Sequence, residues 1–188
     1  MLASLQELTI TDCPNLERVP SLHKLTSLRI LKIGDCSRLK CLPSGLAMAS
    51  PHVFTCLKYL TLGPFCNELD SFPAFQVLPQ LESLWIYGWP KLKSLPEQIQ
   101  HLTALTELSI EAFEGVEAIP EWLGNLTSLQ YLDIVNCKNL KYLPSVQAMH
   151  RLTKLKNLRI GNCPLLRERC REESGPEWPK ISHIPDIL

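Results

Sequence analysis

An excess of charge of either sign is missing from this chain. Its 188 residues carry nineteen Lys+Arg against nineteen Asp+Glu, a formal net charge of zero. A generic nucleic-acid binder draws its affinity from surplus basic side chains, so the balance argues against one. It argues equally against a polybasic membrane anchor. No apolar run approaches the ~18 residues a membrane helix needs. The first residues, MLASLQELTI, hold neither a basic n-region nor a continuous apolar stretch, so they do not read as a signal peptide. There is no C-x-x-C pair, which speaks against zinc. The phosphate loop G-x-x-x-x-G-K-[ST], the dinucleotide motif G-x-G-x-x-G, the nucleophile elbow G-x-S-x-G and HExxH are all absent. With no nucleophile–base pair and no phosphate cradle, neither an enzyme nor a bound cofactor or metal is expected.

Aromatic residues are also scarce, at 7%, whereas Leu occurs 35 times, so any core must be largely aliphatic. The length allows one ordinary domain. Those Leu follow a repeated pattern, L-x-x-L-x-I-x-x-C-x-x-L-x-x-L-P. It runs from Leu5 (LQELTITDCPNLERVP), Leu28 (LRILKIGDCSRLKCLP), Leu81 (LESLWIYGWPKLKSLP), Leu105 (LTELSIEAFEGVEAIP) and Leu129 (LQYLDIVNCKNLKYLP). Leu57 starts a variant with one extra residue, and Leu155 a last copy without the closing Leu-Pro. Successive starts lie 23, 29, 24, 24, 24 and 26 residues apart. That is the leucine-rich-repeat range of roughly 20–29. The fold class expected is therefore an α/β solenoid, a horseshoe with a parallel concave β-sheet and short helical or irregular convex segments. Residues 1–166 make seven repeats and 167–188 a C-terminal tail or cap.

Each part of a unit follows from its spacing. Leu8 and Ile10, Leu31 and Ile33, Leu84 and Ile86, Leu132 and Ile134 are two apart, which puts both members on one face of a short strand. Seven such strands span about 29 Å at ~4.8 Å each. The turn after the strand carries Cys13, Cys36, Trp89, Phe113, Cys137 and Cys163, expected as a stacked interior row. Cys13 and Cys36 could approach each other, but reduced thiols acting as small hydrophobes are the simpler reading. Cys170 lies outside the repeats and is expected to be the more reactive thiol. Pro20, Pro43, Pro73, Pro96, Pro120 and Pro144 end the pattern and can open a helical turn. After them, Leu22, Leu25 and Leu28, or Leu123, Leu126 and Leu129, recur every third residue, which suits short helices or 3₁₀ turns. Residues 44–56 break that spacing and read as an irregular loop. The five His are far apart in sequence and read as surface positions. Asn125-Leu126-Thr127 reads as a chance glycosylation sequon.

These repeats resemble the C-terminal leucine-rich repeats of plant intracellular immune receptors, the coiled-coil nucleotide-binding leucine-rich-repeat class. The resemblance rests on the Cys turn followed by x-x-L-x-x-L-P (NCKNLKYLP), on linkers such as EQIQHLTALTEL and EWLGNLTSLQYL, and on the tail CPLLRERCREESGPEWPKISHIPDIL. It implies a protein-recognition module that senses pathogen effectors or effector-modified host proteins, in the cytoplasm or nucleus. It also implies contact with the nucleotide-binding module of a full-length receptor. That module and its phosphate loop are not in this chain, so ATP or ADP is not assigned to it. The chain opens inside a repeat, with no polar cap over the first unit, which reads as the C-terminal part of a longer receptor or a truncated product. The competing function is a scaffold that recruits a protein substrate, for example to a ubiquitin ligase.

Residues beside the inward Leu and Ile must face out of the sheet. The candidate protein-binding positions there are Lys32, Tyr59, Trp85, Glu107, Tyr131, Asp133 and Arg159, with Tyr87 just past its strand. Exposed Trp and Tyr are typical interface anchors. The alternative is that Tyr59 and Trp85 merely cover neighbouring strands. Glu121, after Pro120 on the convex side, is expected to be a free surface position.

Overall fold

A computed structural model describes residues 4–43, 54–65, 78–89 and 91–188. Pro73, His52 and positions 44–53 of the expected irregular loop lie outside these residues. Eight strands form one parallel sheet in strict chain order: β1 Glu7–Ile10, β2 Ile30–Ile33, β3 Tyr59–Leu62, β4 Ser83–Tyr87, β5 Glu107–Glu111, β6 Tyr131–Val135, β7 Asn157–Gly161 and β8 Asp186–Ile187. Seven are the repeat strands, and the tail contributes the eighth. The register puts like on like: Leu84 pairs with Leu108 and Leu108 with Leu132, Ile86 with Ile110 and Ile110 with Ile134. From β2 to β7 both inward columns are buried. At β1, Leu8 and Ile10 are only partly covered.

On the other side of the core, residues every third place are tied by short backbone bonds. Leu25 N–H donates to Leu22 (2.9 Å), Leu102 to Ile99 (3.0 Å), Leu126 to Leu123 (3.0 Å) and Leu152 to Met149 (3.1 Å). An i→i+3 bond returns the chain after three residues, so a Leu-x-x-Leu-x-x-Leu spacing puts all three Leu inward. Two units close this path as 3₁₀ turns, Glu97–His101 and Glu121–Asn125, which begin directly after Pro96 and Pro120. The next unit forms α1 Val146–His150, capped by Ser145, whose hydroxyl accepts from Ala148 N–H. The same Ser145 gives its backbone N–H (2.6 Å) and its hydroxyl (2.7 Å) to the Glu121 carboxylate. Those bonds hold the Glu121 carboxyl below its usual range. Glu121 is therefore a tie between two units, not the free surface position its place after Pro120 suggests.

The turn after each strand has a second rule. The residue immediately before the Cys-like position is left-handed in six units: Asp12 (φ 56), Asp35 (φ 51), Gly88 (φ 72), Ala112 (φ 56), Asn136 (φ 57) and Asn162 (φ 51). Asp, Asn and Gly enter this region most readily, because a short polar side chain or a missing Cβ offsets the clash with the carbonyl. Ala112 has neither help. The third unit instead carries Gly63 at φ 108. There the buried turn residue is Phe65, three places after the last inward strand residue Leu62, as Trp89 is after Ile86 and Cys137 after Ile134. Phe65 meets Trp89 edge-on at 4.9 Å, and Trp89 meets Phe113 at 6.2 Å, so the middle of the row is aromatic.

The thiols at either end of the row have polar work as well. Cys13, Cys36, Cys137 and Cys163 each donate S–H to the carbonyl two residues back, at 3.3, 3.1, 3.4 and 3.3 Å. A small side chain with a weak donor suits this turn, where the carbonyl has a second lone pair to offer. Cys163 Sγ in turn accepts the backbone N–H of Cys137 (3.3 Å), joining the two units.

Beyond β7 the chain folds back through α2 Pro164–Arg169 and α3 Trp178–Ile181 before β8 pairs with β7. Glu177 holds this return. Its buried carboxylate accepts Leu143 N–H (2.8 Å) and Lys180 Nζ (2.7 Å), with Arg169 at 3.5 Å. Cys170, Ile181 and Ile184 join the core. Burial pushes the Cys170 thiol up to about 12. The expectation of a reactive Cys170 is thus overturned, because the tail encloses it. The exposed thiol among the described residues is Cys41.

Two outcomes follow from this packing. Leu108→Ala, at the centre of an inward column, should cost about 2–5 kcal/mol in a denaturant melt. Ala112→Gly should instead gain about 0.5–1 kcal/mol. That is what remains of a left-handed penalty of roughly 1–2 kcal/mol after the extra unfolded-state entropy of Gly. For the thiols, mass-spectrometric mapping of native protein treated with iodoacetamide should find Cys41 alkylated well before Cys170. Equal rates would show that the tail is not packed as described.

Candidate functional site

Period two sends the remaining strand residues to the open face of the sheet. The register then orders them into columns. One runs Glu7, Ile30, Tyr59, Ser83, Glu107, Tyr131, Asn157 and Asp186. The next runs Thr9, Lys32, Thr61, Trp85, Ser109, Asp133 and Arg159. Because β4 to β7 are one residue longer than β1 to β3, a third runs Tyr87, Glu111, Val135 and Gly161. Tyr87 therefore belongs to β4 and does not lie past it. All eight candidate positions lie in these columns. Glu111 was missed, because the strand was taken to end at Ile110.

The large side chains stay in solvent: Tyr59 is 45% exposed, Trp85 43% and Tyr131 46%. Tyr142 is also exposed, but it lies off the sheet face, where the Arg169 guanidinium sits 4.7 Å from its ring centre. Lys32, Tyr59, Trp85 and Glu107 line one open hollow of about 340 Å³, floored by Leu60, Thr61 and Ser83. Small residues make the room, since Trp85 has Thr61 and Ser109 as its in-register neighbours. Tyr87, Tyr131, Asp133 and Arg159 are outside this hollow but on the same face.

Hydrogen bonds hold the acids in place. Ser83 Oγ donates to Glu107 (2.9 Å), and Asn136 Nδ2 to Glu111 (2.8 Å). Asn162 Nδ2 continues the second chain to Asn136 Oδ1 (2.6 Å). Elsewhere, carboxylates are matched by a cation of the adjacent unit: Glu17 with Lys40 (2.9 Å), Glu82 with Lys58 (2.7 Å), Glu117 with Lys141 (3.1 Å). Among the described residues no such pair is formed by Glu107, Glu111 or Asp133. Partial burial raises the Asp133 carboxyl above its ordinary value; the Arg159 charge opposes this and the Glu107 charge adds to it. Burial, then the charges of Asp35 and Glu111, raise the Tyr87 phenol.

Among the described residues there is no group of three or more His, Cys, Asp or Glu placed to hold a metal. The rings of His150 and His183, distant in sequence, meet edge-on at 4.5 Å on the surface, away from the sheet. No helix among the described residues is long and apolar enough to cross a membrane.

A model of the leucine-rich repeat region matches residues 2–175. The chain belongs to the leucine-rich-repeat region family. Similar relatives include the disease resistance protein RPP2A of Arabidopsis thaliana, 32% identical over 115 residues, covering 59% of this chain and 8% of that protein. The disease resistance protein RPS4 of the same plant is 29% identical over 119 residues, covering 54% and 9%. Together with the family model they support a leucine-rich-repeat region of plant resistance proteins. The chain spans less than a tenth of the length of these relatives. In fold it is similar to the leucine-rich repeat domain of the type III effector XopL, with TM-score 0.66 and 24% identity over 100% of this chain and 69% of that one. A leucine-rich-repeat protein of Leptospira interrogans gives TM-score 0.62 and 23% identity, over 100% and 50%. Such a region implies a protein-interaction module.

The raised Asp133 carboxyl carries a sign that can be measured. A carboxyl whose folded pKa exceeds its unfolded one binds its proton more tightly when folded, so its ionised form costs stability at neutral pH. That cost disappears as pH falls through the raised value. Asp133→Asn should therefore raise the thermal midpoint at pH 7, and the gain should narrow toward about pH 4, where the unfolded carboxyl also takes up its proton. A lower midpoint at pH 7 would mean that attraction to Arg159 outweighs the burial.

Proposed function

We propose that this chain is the protein-recognition part of a plant intracellular immune receptor, acting in the cytoplasm or nucleus by binding rather than catalysis. Its partner is a pathogen effector or a host protein that an effector modifies. The nucleotide-binding module of the full receptor is a second, intramolecular partner. The kinship with plant resistance proteins supports the setting, and Trp85 carries the choice of surface. Its indole stands on the fourth of eight strands between small neighbours and is 43% exposed. Folding gains little from a large apolar ring left in water, whereas a central aromatic at an interface commonly contributes ≥ ~2 kcal/mol.

The test is Trp85→Ala in the full-length receptor, with the isolated repeats assayed for folding. The expected result is a nearly unchanged thermal melt and a lost defence response, or partner binding weakened by about thirtyfold, the equivalent of ~2 kcal/mol. Thr103→Ala, an exposed position on the opposite side, serves as the control and should leave both readouts unchanged. If Trp85→Ala unfolds the repeats, the residue is structural. If the variant folds and signals normally, the face is not centred on this indole.

A further inference from the structure

The chain is neutral as a whole, yet its sheet face is not. The three central strands β4, β5 and β6 present nine outward positions in register. Three are aromatic (Trp85, Tyr87, Tyr131), three are carboxylates (Glu107, Glu111, Asp133), and none is Lys or Arg. Glu107 and Glu111 are oriented by neutral donors, Ser83 and Asn136, which fix position without cancelling charge. Off the face, three carboxylates each face a lysine one unit away. Stacked units bring corresponding side chains within ~5 Å of each other, so leaving acids without a cation is unfavourable for folding alone. Asp133 experiences its burial first, then the charge of its register neighbour Arg159, which opposes the burial, and the Glu107 charge, which adds to it.

We infer that the partner segment received by this face is basic: one or more arginine or lysine side chains lie across Trp85 and Tyr131 and end at Glu107, Asp133 and Glu111. This inference rests on the recognition reading above and gives the partner its chemistry. A guanidinium or ammonium is attracted by the face of an aromatic ring and by a carboxylate at the ring's edge, and the two attractions reinforce each other where water is partly excluded. Tyr87, with its phenol close to Glu111, extends the same combination into the third column. Lys32 stands at the far side of the Trp85 hollow, three strands from Glu107, about 14 Å at ~4.8 Å per strand. A basic segment therefore places its cation over β5 and β6, and acidic residues flanking it meet Lys32 on the β2 side or Arg159 on the β7 side. A nucleic acid would meet three carboxylates at the centre of the face and is disfavoured there.

The experiment uses the whole chain and three fluorescein-labelled peptides of one length, alternating glycine with arginine, citrulline or glutamate. Citrulline keeps the shape of arginine without its charge. By fluorescence anisotropy the arginine peptide should bind about tenfold more tightly than either counterpart, and less tightly as salt is raised. The double variant Glu107→Gln, Asp133→Asn should remove that preference, and Trp85→Ala should weaken binding of the arginine peptide. The double variant Glu17→Gln, Glu117→Gln, an equal loss of charge off the face, should change nothing. No preference for arginine over citrulline, equal or tighter binding of the glutamate peptide, or an arginine preference that survives the double variant would each overturn the inference. The two readings fail separately in the full-length receptor. A response lost in Trp85→Ala but intact in a folded double variant leaves the recognition face standing and refutes the basic partner. A response intact in both refutes the face itself.

Discussion

One constraint governs this protein: every residue of a unit has the corresponding residue of the next unit as its neighbour, one strand spacing away. A single unit cannot enclose its own apolar side chains, so burial arises only between units. Parallel in-register stacking turns each position of the repeat into a column, and each column must be a sequence of side chains that tolerate one another. Leu on Leu and Ile on Ile meet this easily. Charge does not, and the chain answers with alternation, Glu17 against Lys40 and Glu117 against Lys141. Polar side chains can satisfy it through directed bonds, as in the run from Asn162 through Asn136 to Glu111. These exposed ion pairs contribute little each. Their more important effect is to prevent the like-charge columns that stacking would otherwise impose.

The same constraint explains the turn after the strand. All units must reverse at the same height, or the next strand would lose register. The left-handed residue and the buried residue after it set that height. Where the buried residue is Cys, its thiol closes a bond to the carbonyl two places back. Where it is Phe65, Trp89 or Phe113, ring contact takes over. Gly88 shows how tight the level is, since a Cβ there would press on Pro64 of the preceding unit. The chain thus varies the filling of the row while keeping its geometry.

What the sequence made legible follows from this. Anything repeated could be read: the strand faces, the period-three convex path, the Pro boundaries and the outward columns. What escaped was whatever occurs once. Phe65 was hidden because Cys66, one place on, imitates the pattern; the constant three-residue step from the last inward strand residue identifies it. Glu111, and the place of Tyr87 within its strand, were missed because β4 and β5 run one residue further than the repeat framework. The enclosure of Cys170 depends on Glu177, which with its partner Lys180 belongs to the tail and has no counterpart in the repeats. Glu121 acts through Ser145, a contact made on the convex side rather than in the sheet. On the face itself, position was legible from period two, whereas the absence of an ion pair at Glu107, Glu111 and Asp133 among the described residues required the contacts.

Period two also separates folding from recognition. In a strand, adjacent residues point to opposite sides, so Leu84 and Ile86 can be wholly buried while Trp85 between them is not. The inward columns hold the solenoid together and admit little but aliphatic side chains. The outward columns contribute little to that packing, so their side chains can change without loss of the fold. The separation is incomplete where outward side chains crowd, as the raised Asp133 carboxyl shows. The two ends of the sheet differ in the same terms. At the C-terminal end β8 and the tail bury the last column, whereas at β1 Leu5, Leu8 and Ile10 line an open hollow of about 830 Å³ with Val19, Leu22 and Leu25. In a nearest-neighbour solenoid each central unit shares an interface with a unit on either side. The aromatic and acidic positions stand on β4 to β6, which are packed on both sides, so their side chains are presented to a partner with a small loss of order on binding.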